Sequence, residues 1–152
     1  MQQKLNAYKQ VHVNTSTNKA DMLLELYEGA IRFIDFAERV MRDRNMAKKG
    51  EYISRAIAII GELDSALDRQ EEGSIVRNLS NLYGYMIQRL TTGNRTQNPG
   101  ALREVKDLLE GLLDAWRAAA KQLESLSNNA LPEEQLSVTE MLPGQYGGAY
   151  VA

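Results

Sequence analysis

The chain of 152 residues has no cysteine, a single histidine and only three prolines. Without cysteine there is neither a disulfide nor a thiolate metal site, and nothing points to an oxidising compartment. The lone His12 excludes a carboxylate-bridged di-iron bundle, which needs Glu-x-x-His on two helices. It also precedes the first expected bundle helix, where a phosphotransfer histidine would have to stand. No stretch approaches the roughly 18 uninterrupted apolar residues of a membrane span, and the N-terminal MQQKLNAYKQ lacks the apolar run of a signal peptide. A soluble cytosolic protein without stable membrane insertion is expected. With 18 basic and 20 acidic residues the formal charge is −2, so no global field draws the chain to nucleic acid or anionic lipid. The strings GYMIQRLTTGN and LPGQYGG lack the strand context and the Lys-Ser/Thr ending of a phosphate loop. Glu25, Glu28, Asp35 and Glu38 read as the solvated side of a helix. The absences leave a binding protein, not an enzyme, with no cofactor and no metal.

What the chain does have is helical periodicity. Across Asp21 to Met41, DMLLELYEGAIRFIDFAERVM, one apolar series runs Leu23, Leu26, Ala30, Phe33, Ala37, Val40 at alternating spacings of three and four. A second series, Leu24, Tyr27, Ile31, Ile34 and Met41, lies beside it and is interrupted by Glu38. At about 100° per residue the two cover roughly 200° of the helix, twice an ordinary apolar stripe. Such a helix is either the most buried member of a bundle or one whose second stripe awaits a partner. Helices are expected over about 18–44, 51–68, 74–91 and 101–127, the first capped by Asn18 with Asp21 reaching back. Thr91 to Gly100, TTGNRTQNPG, has the composition of a loop. The last helix carries Leu102, Val105, Leu109, Leu112, Trp116, Ala119, Leu123 and Leu126 in unbroken alternation. No run of period two competes, so the expected fold is all-α: an antiparallel up-down four-helix bundle over 1–127 with an N-terminal leader at 1–17. Residues 128–152, holding two of the three prolines and three of the eleven glycines, read as a flexible tail.

Four strings, NAYKQV (Asn6 to Val11), LYEGAIRF (Leu26 to Phe33), NLSNLYGYMIQRL (Asn78 to Leu90) and DAWR (Asp114 to Arg117), together resemble the flagellin export chaperone family in order and spacing. The similarity spans about Asn6 to Leu123. It implies a cytosolic four-helix bundle without enzymatic activity. Such a protein binds the disordered C-terminal segment of flagellin in hydrophobic grooves, prevents premature polymerisation, and delivers the client to the flagellar type III export gate. The sequence departs from the family pattern at Asn18-Lys19, where Ser-Pro is usual, at Glu25 in place of an apolar residue, and at Gly84 in place of an acidic one. Its tail is also longer.

Recognition of a client helix needs apolar anchors on two adjacent helices. Ile53, Ile57 and Ile60 on the second helix, with Tyr83 and Ile87 on the third, are the candidate groove, and each reads equally well as bundle core. Asn78 is a candidate bond to client backbone. Tyr8 and Val11 of the leader either cover the groove as a removable plug or staple the leader to the bundle. The first helix then uses its Leu23 to Val40 series as the bundle seam, with Tyr27 and Ile31 buried. The alternative is a four-helix homodimeric adaptor that pairs through its wide faces and has no flagellin client.

Overall fold

The computed structural model describes the backbone of residues 2–70 and 73–129, and side chains from residue 18 onward within them. Four helices follow one another: α1 (Gln2–Arg42), α2 (Met46–Ser65), α3 (Ser74–Thr96) and α4 (Pro99–Asn129). The chain divides into two compact units, Met1–Arg117, which holds the bundle core, and Ala118–Ala152, whose described part is the end of α4. Connections this short force neighbours to run antiparallel. The register between α1 and α4 agrees, since Glu38, Asp35 and Glu28 pair in turn with Arg103, Lys106 and Arg117. The expected all-α bundle is therefore the fold.

Several expected boundaries move. The leader is helical from Gln2 and continuous with α1, which places Asn18 inside the helix and removes its capping role. No glycine or proline lies between residues 2 and 20 to interrupt the helix. Helix α2 begins at Met46 because Asn45 caps it, accepting from the Lys48 N–H at 3.2 Å. The same Asn45 ends α1: its N–H bonds the Val40 carbonyl at 2.9 Å while the Arg44 N–H bonds that of Met41 at 3.2 Å. That is a Schellman ending, with Arg44 at φ 59 in the place glycine usually holds. The expected loop after Thr91 is mostly helix. Thr91 and Thr96 return their hydroxyls to the carbonyls of Ile87 and Thr92 at 2.8 and 2.7 Å, and Gly93 turns inward. Only Gln97 and Asn98 separate α3 from α4, whose first residue, Pro99, is well suited to a helix start. The expected tail lies outside the described residues from 130 on.

The core is one cluster drawn from every helix: Tyr27, Ala30, Ile34 and Ala37; Ile53, Ala56, Ile60 and Leu63; Tyr83, Met86 and Leu90; Leu102, Val105, Leu109 and Leu113. On α1 this corrects the expected seam. The buried line runs between the two series, taking Ala30 and Ala37 from one and Tyr27 and Ile34 from the other, and leaves Leu23, Leu26, Phe33 and Ile31 half-buried on its flanks. Small side chains let the α1 and α2 backbones approach, and a Cβ on Gly29 would already meet Ile59 Cδ1 at 3.4 Å. On the outer side of that pair, Phe33 stacks on Tyr52 at 6.2 Å, Phe36 closes the cluster, and Arg55 covers the Phe33 ring. Helix α4 faces α1 through ion pairs instead. The Arg103 guanidinium donates to Glu38 at 2.7 Å, where Glu38 is only 8% exposed. On α4 the buried stripe goes from Leu109 to Leu113, not Leu112, because a straight helix of 3.6 residues per turn drifts away from a strict three-four alternation.

Candidate functional site

Where α2 turns into α3 the core opens. A cavity of about 240 Å³ is walled by Leu23, Leu67, Ile75 and Leu79 and floored by Tyr27, Tyr83 and Trp116. The floor is held by a hydrogen-bonded trio. The Trp116 indole N–H donates to Tyr27 Oη at 3.0 Å, and the Tyr27 and Tyr83 hydroxyls bond each other. An indole has only a donor, so the Tyr27 oxygen must accept it, and the trio ties α1, α3 and α4 together at one point. Burial pushes the Tyr83 hydroxyl far above its usual range, with the Tyr27 bond and then the Asp64 charge adding to the effect. Tyr83 therefore stays uncharged at physiological pH. At the mouth Ile75 is 72% exposed, an apolar side chain presented to solvent.

The pocket continues along the α2–α3 side. The Lys49 ammonium of α2 donates to the Asn94 carbonyl of α3 at 2.9 Å, and Gly61 and Gly84 belong to the same two helices. No neighbouring atom lies within 4 Å of where either glycine would carry a Cβ. Ile57 and Ile87, both half-buried against the core, belong to the same side. Beside it a larger, more polar recess of about 780 Å³ is lined by Arg69, Arg77, Ser80 and Asn81 with the uncapped start of α3. Asp64 stands near with one oxygen accepting from Arg69 at 3.0 Å and the other buried without a partner.

The residues expected at the groove fall at different depths. Ile53, Ile60 and Tyr83 are buried, at 1%, 0% and 2% exposure, so they build the floor and present little surface of their own. Ile57 and Ile87 are half-buried and Asn78 is exposed. Tyr8 and Val11 lie on the helical stretch whose side chains are outside the described residues. Tyr27 is buried as expected, whereas Ile31 is half-buried and lines a cleft of about 420 Å³ between α1 and α4. Sequence reasoning missed Leu67, Ile75 and Leu79 as pocket walls and assigned Trp116 to an ordinary seam. The available signal was Trp116 itself, a large side chain whose indole N–H seeks a partner even though the residue stays 38% exposed.

Fold and pocket define the class: an all-α bundle that offers apolar recesses on its surface. Comparison with known proteins narrows it. The profile of the family described as flagellar protein FliS matches residues 1–123. The flagellar secretion chaperone FliS of Salmonella typhimurium is 37% identical over 117 residues, covering 74% of this chain and 87% of that one. Its counterpart in Bacillus subtilis is 34% identical over 119 residues, covering 78% and 87%. That of Vibrio cholerae is 31% identical over 119 residues, covering 76% and 88%. The chain belongs to the FliS family.

Proposed function

We propose that the protein is a cytosolic flagellar export chaperone that binds the disordered C-terminal segment of flagellin, keeps it from polymerising early, and passes it to the export gate. Membership of a family whose relatives are named flagellar secretion chaperones supports the role. The observation that supports the binding mode is the open apolar pocket at the α2–α3 turn with Ile75 at its mouth. A flagellin terminus has an apolar face with nothing to bury it before assembly, and the bundle supplies that surface in advance. One client side chain enters the pocket over Tyr27, Tyr83 and Trp116. The client helix then follows the side marked by Ile57, Gly61, Gly84 and Ile87, where the missing Cβ atoms leave room for a backbone to approach. Ile53 and Ile60 hold that side from beneath, while Asn78, seven residues before Tyr85, stands on the α4-facing side of α3, and Tyr8 and Val11 reach the groove only where the helix that runs unbroken from Gln2 is interrupted.

Burying about 600 Å² of apolar surface at about 25 cal/mol per Å² gives a gross 15 kcal/mol, most of which the ordering of a disordered client cancels. Binding is then tight enough to protect and weak enough to release. Calorimetric titration with a flagellin C-terminal peptide tests the reading. The substitutions Ile75→Ser and Ile87→Ser, at exposed and half-buried positions, are expected to leave the fold intact and to lower affinity about tenfold each, which corresponds to about 1.4 kcal/mol. A peptide that fails to bind the parent protein, or binds both variants as well as the parent, sinks the proposal. A stable dimer by gel filtration that ignores the peptide would favour the homodimeric adaptor.

A further inference from the structure

The other end of the bundle, formed by the α1–α2 and α3–α4 connections, carries a surface that the client-binding proposal does not use. A recess of about 410 Å³ lies there, with Met41, Met46 and Pro99 as an apolar floor and Arg42, Arg44 and Gln97 around it. Met46 is 50% exposed. Arg42 and Arg44 line the recess and Arg39 and Arg95 belong to the adjoining helix turns, whereas Lys48 pairs with Glu51 and Lys49 is buried against the Asn94 carbonyl. Part of this positive charge follows from helix dipoles, since Arg39, Arg42 and Arg95 stand in the last turns of α1 and α3. The first turns of α2 and α4, which begin at this end, contain no acidic residue to offset their positive helix ends. Among the described residues, Arg39, Arg42 and Arg44 form no ion pair.

The backbone adds a separate observation. The two non-glycine residues with positive φ among those described, Arg44 at 59° and Gln97 at 54°, come from different connections and both line this recess. Glycine takes that conformation without strain, so each side chain is kept against a backbone preference. Gln97 spends its amide on the recess wall, donating to Met46 Sδ at 2.9 Å. Methionine floors adapt to varied apolar partners, and guanidinium groups at a rim match carboxylates.

We infer that this end docks an acidic amphipathic segment of a partner protein, one apolar side chain entering the Met41–Met46–Pro99 floor while flanking carboxylates meet Arg42 and Arg44. The test is fluorescence anisotropy of the full chain with a short labelled peptide that has one leucine between pairs of glutamates. Two control peptides replace the leucine by serine or the glutamates by lysines. The glutamate–leucine peptide is expected to bind, the serine version about fivefold more weakly, and the lysine version not at all. The double variant Arg42→Glu, Arg44→Glu should lose about tenfold in affinity. Arg44→Gly serves where charge reversal upsets folding: glycine fits φ 59, so the melting temperature should hold or rise while peptide affinity falls about threefold. Equal binding of all three peptides, full affinity in Arg44→Gly, or preference for single-stranded RNA or for vesicles of anionic lipid over the peptide would each overturn the inference. Arg44→Gly should bind a flagellin C-terminal peptide as the parent does, so the two readings fail separately.

Discussion

The two ends of the bundle are built on opposite principles. At the α2–α3 turn, aromatic residues from three helices share one hydrogen-bond trio, buried at Tyr27 and Tyr83 and exposed at Trp116, and leave an apolar mouth open to solvent. At the other end, two connections are pulled tight by Asn45 and Gly93, positive charge accumulates, and two residues accept a left-handed backbone. The first end draws its order from side chains, the second from the main chain. A surface meant to receive an apolar helix needs a firm floor, whereas short turns between antiparallel helices need backbone hydrogen bonds satisfied within very few residues.

The contrast can be broken most severely at the trio. Tyr27→Phe keeps the ring but leaves the Trp116 indole and the Tyr83 hydroxyl short of a partner, and should cost about 1–3 kcal/mol in chemical denaturation. Because Trp116 is the chain's single tryptophan, its emission should shift in the same variant; an unchanged spectrum and stability would mean the trio does not hold the pocket floor. At the other end the sharpest probe is Gly93→Ala. Alanine normally favours a helix by about 1 kcal/mol over glycine. Here the new Cβ would stand 2.9 Å from Leu102 Cδ1 and 3.0 Å from the Ala101 Cβ. A net loss of about 1–2 kcal/mol is expected, while Gly84→Ala, with open space around it, should gain up to about 1 kcal/mol. Equal effects at the two glycines would show that packing at the tight turn is loose.

Smaller again is Arg44→Gly, which relieves a left-handed residue and should stabilise by about 1 kcal/mol. In a chain of this size that raises the melting temperature by about 3 °C. The least effect is expected between the ends, where Tyr85 and Arg89 of α3 both bond Glu104 of α4. The Tyr85 bond, then the Arg89 pair, hold the Glu104 carboxyl below its usual range. A carboxyl with a lower value in the folded state adds stability above its unfolded value of about 4.3, and loses it as pH falls through the folded one. Glu104→Gln should therefore flatten the acid side of the stability profile by a small amount, leaving both ends unaffected.

Much of the fold was legible in the residue order. Apolar periodicity marked four helices, and the absence of alternating runs excluded a sheet. The boundaries were harder. TTGNRT reads as a loop by composition, yet threonine hydroxyls satisfy carbonyls of the preceding turn and Gly93 is placed for close approach to α4. The stretch between the expected helices at 44 and 51 reads as a connection, yet Asn45 lets one residue end α1 and begin α2. The candidate site was only half visible: Ile57 and Ile87 emerged from the helix periodicity, but Ile75 and Leu67 had no pattern that separated a pocket wall from an ordinary flank.

The sequence by itself determined helix content, the width of the apolar arc on α1 and the family to which the chain belongs, because these depend on residue spacing along one element. Tertiary structure alone decided which line within that arc is buried, that Tyr27, Tyr83 and Trp116 meet, and that Arg44 and Gln97 share one recess. The physical reason is that periodicity gives an angle around a single helix, whereas burial and hydrogen bonding depend on the neighbour that occupies that angle.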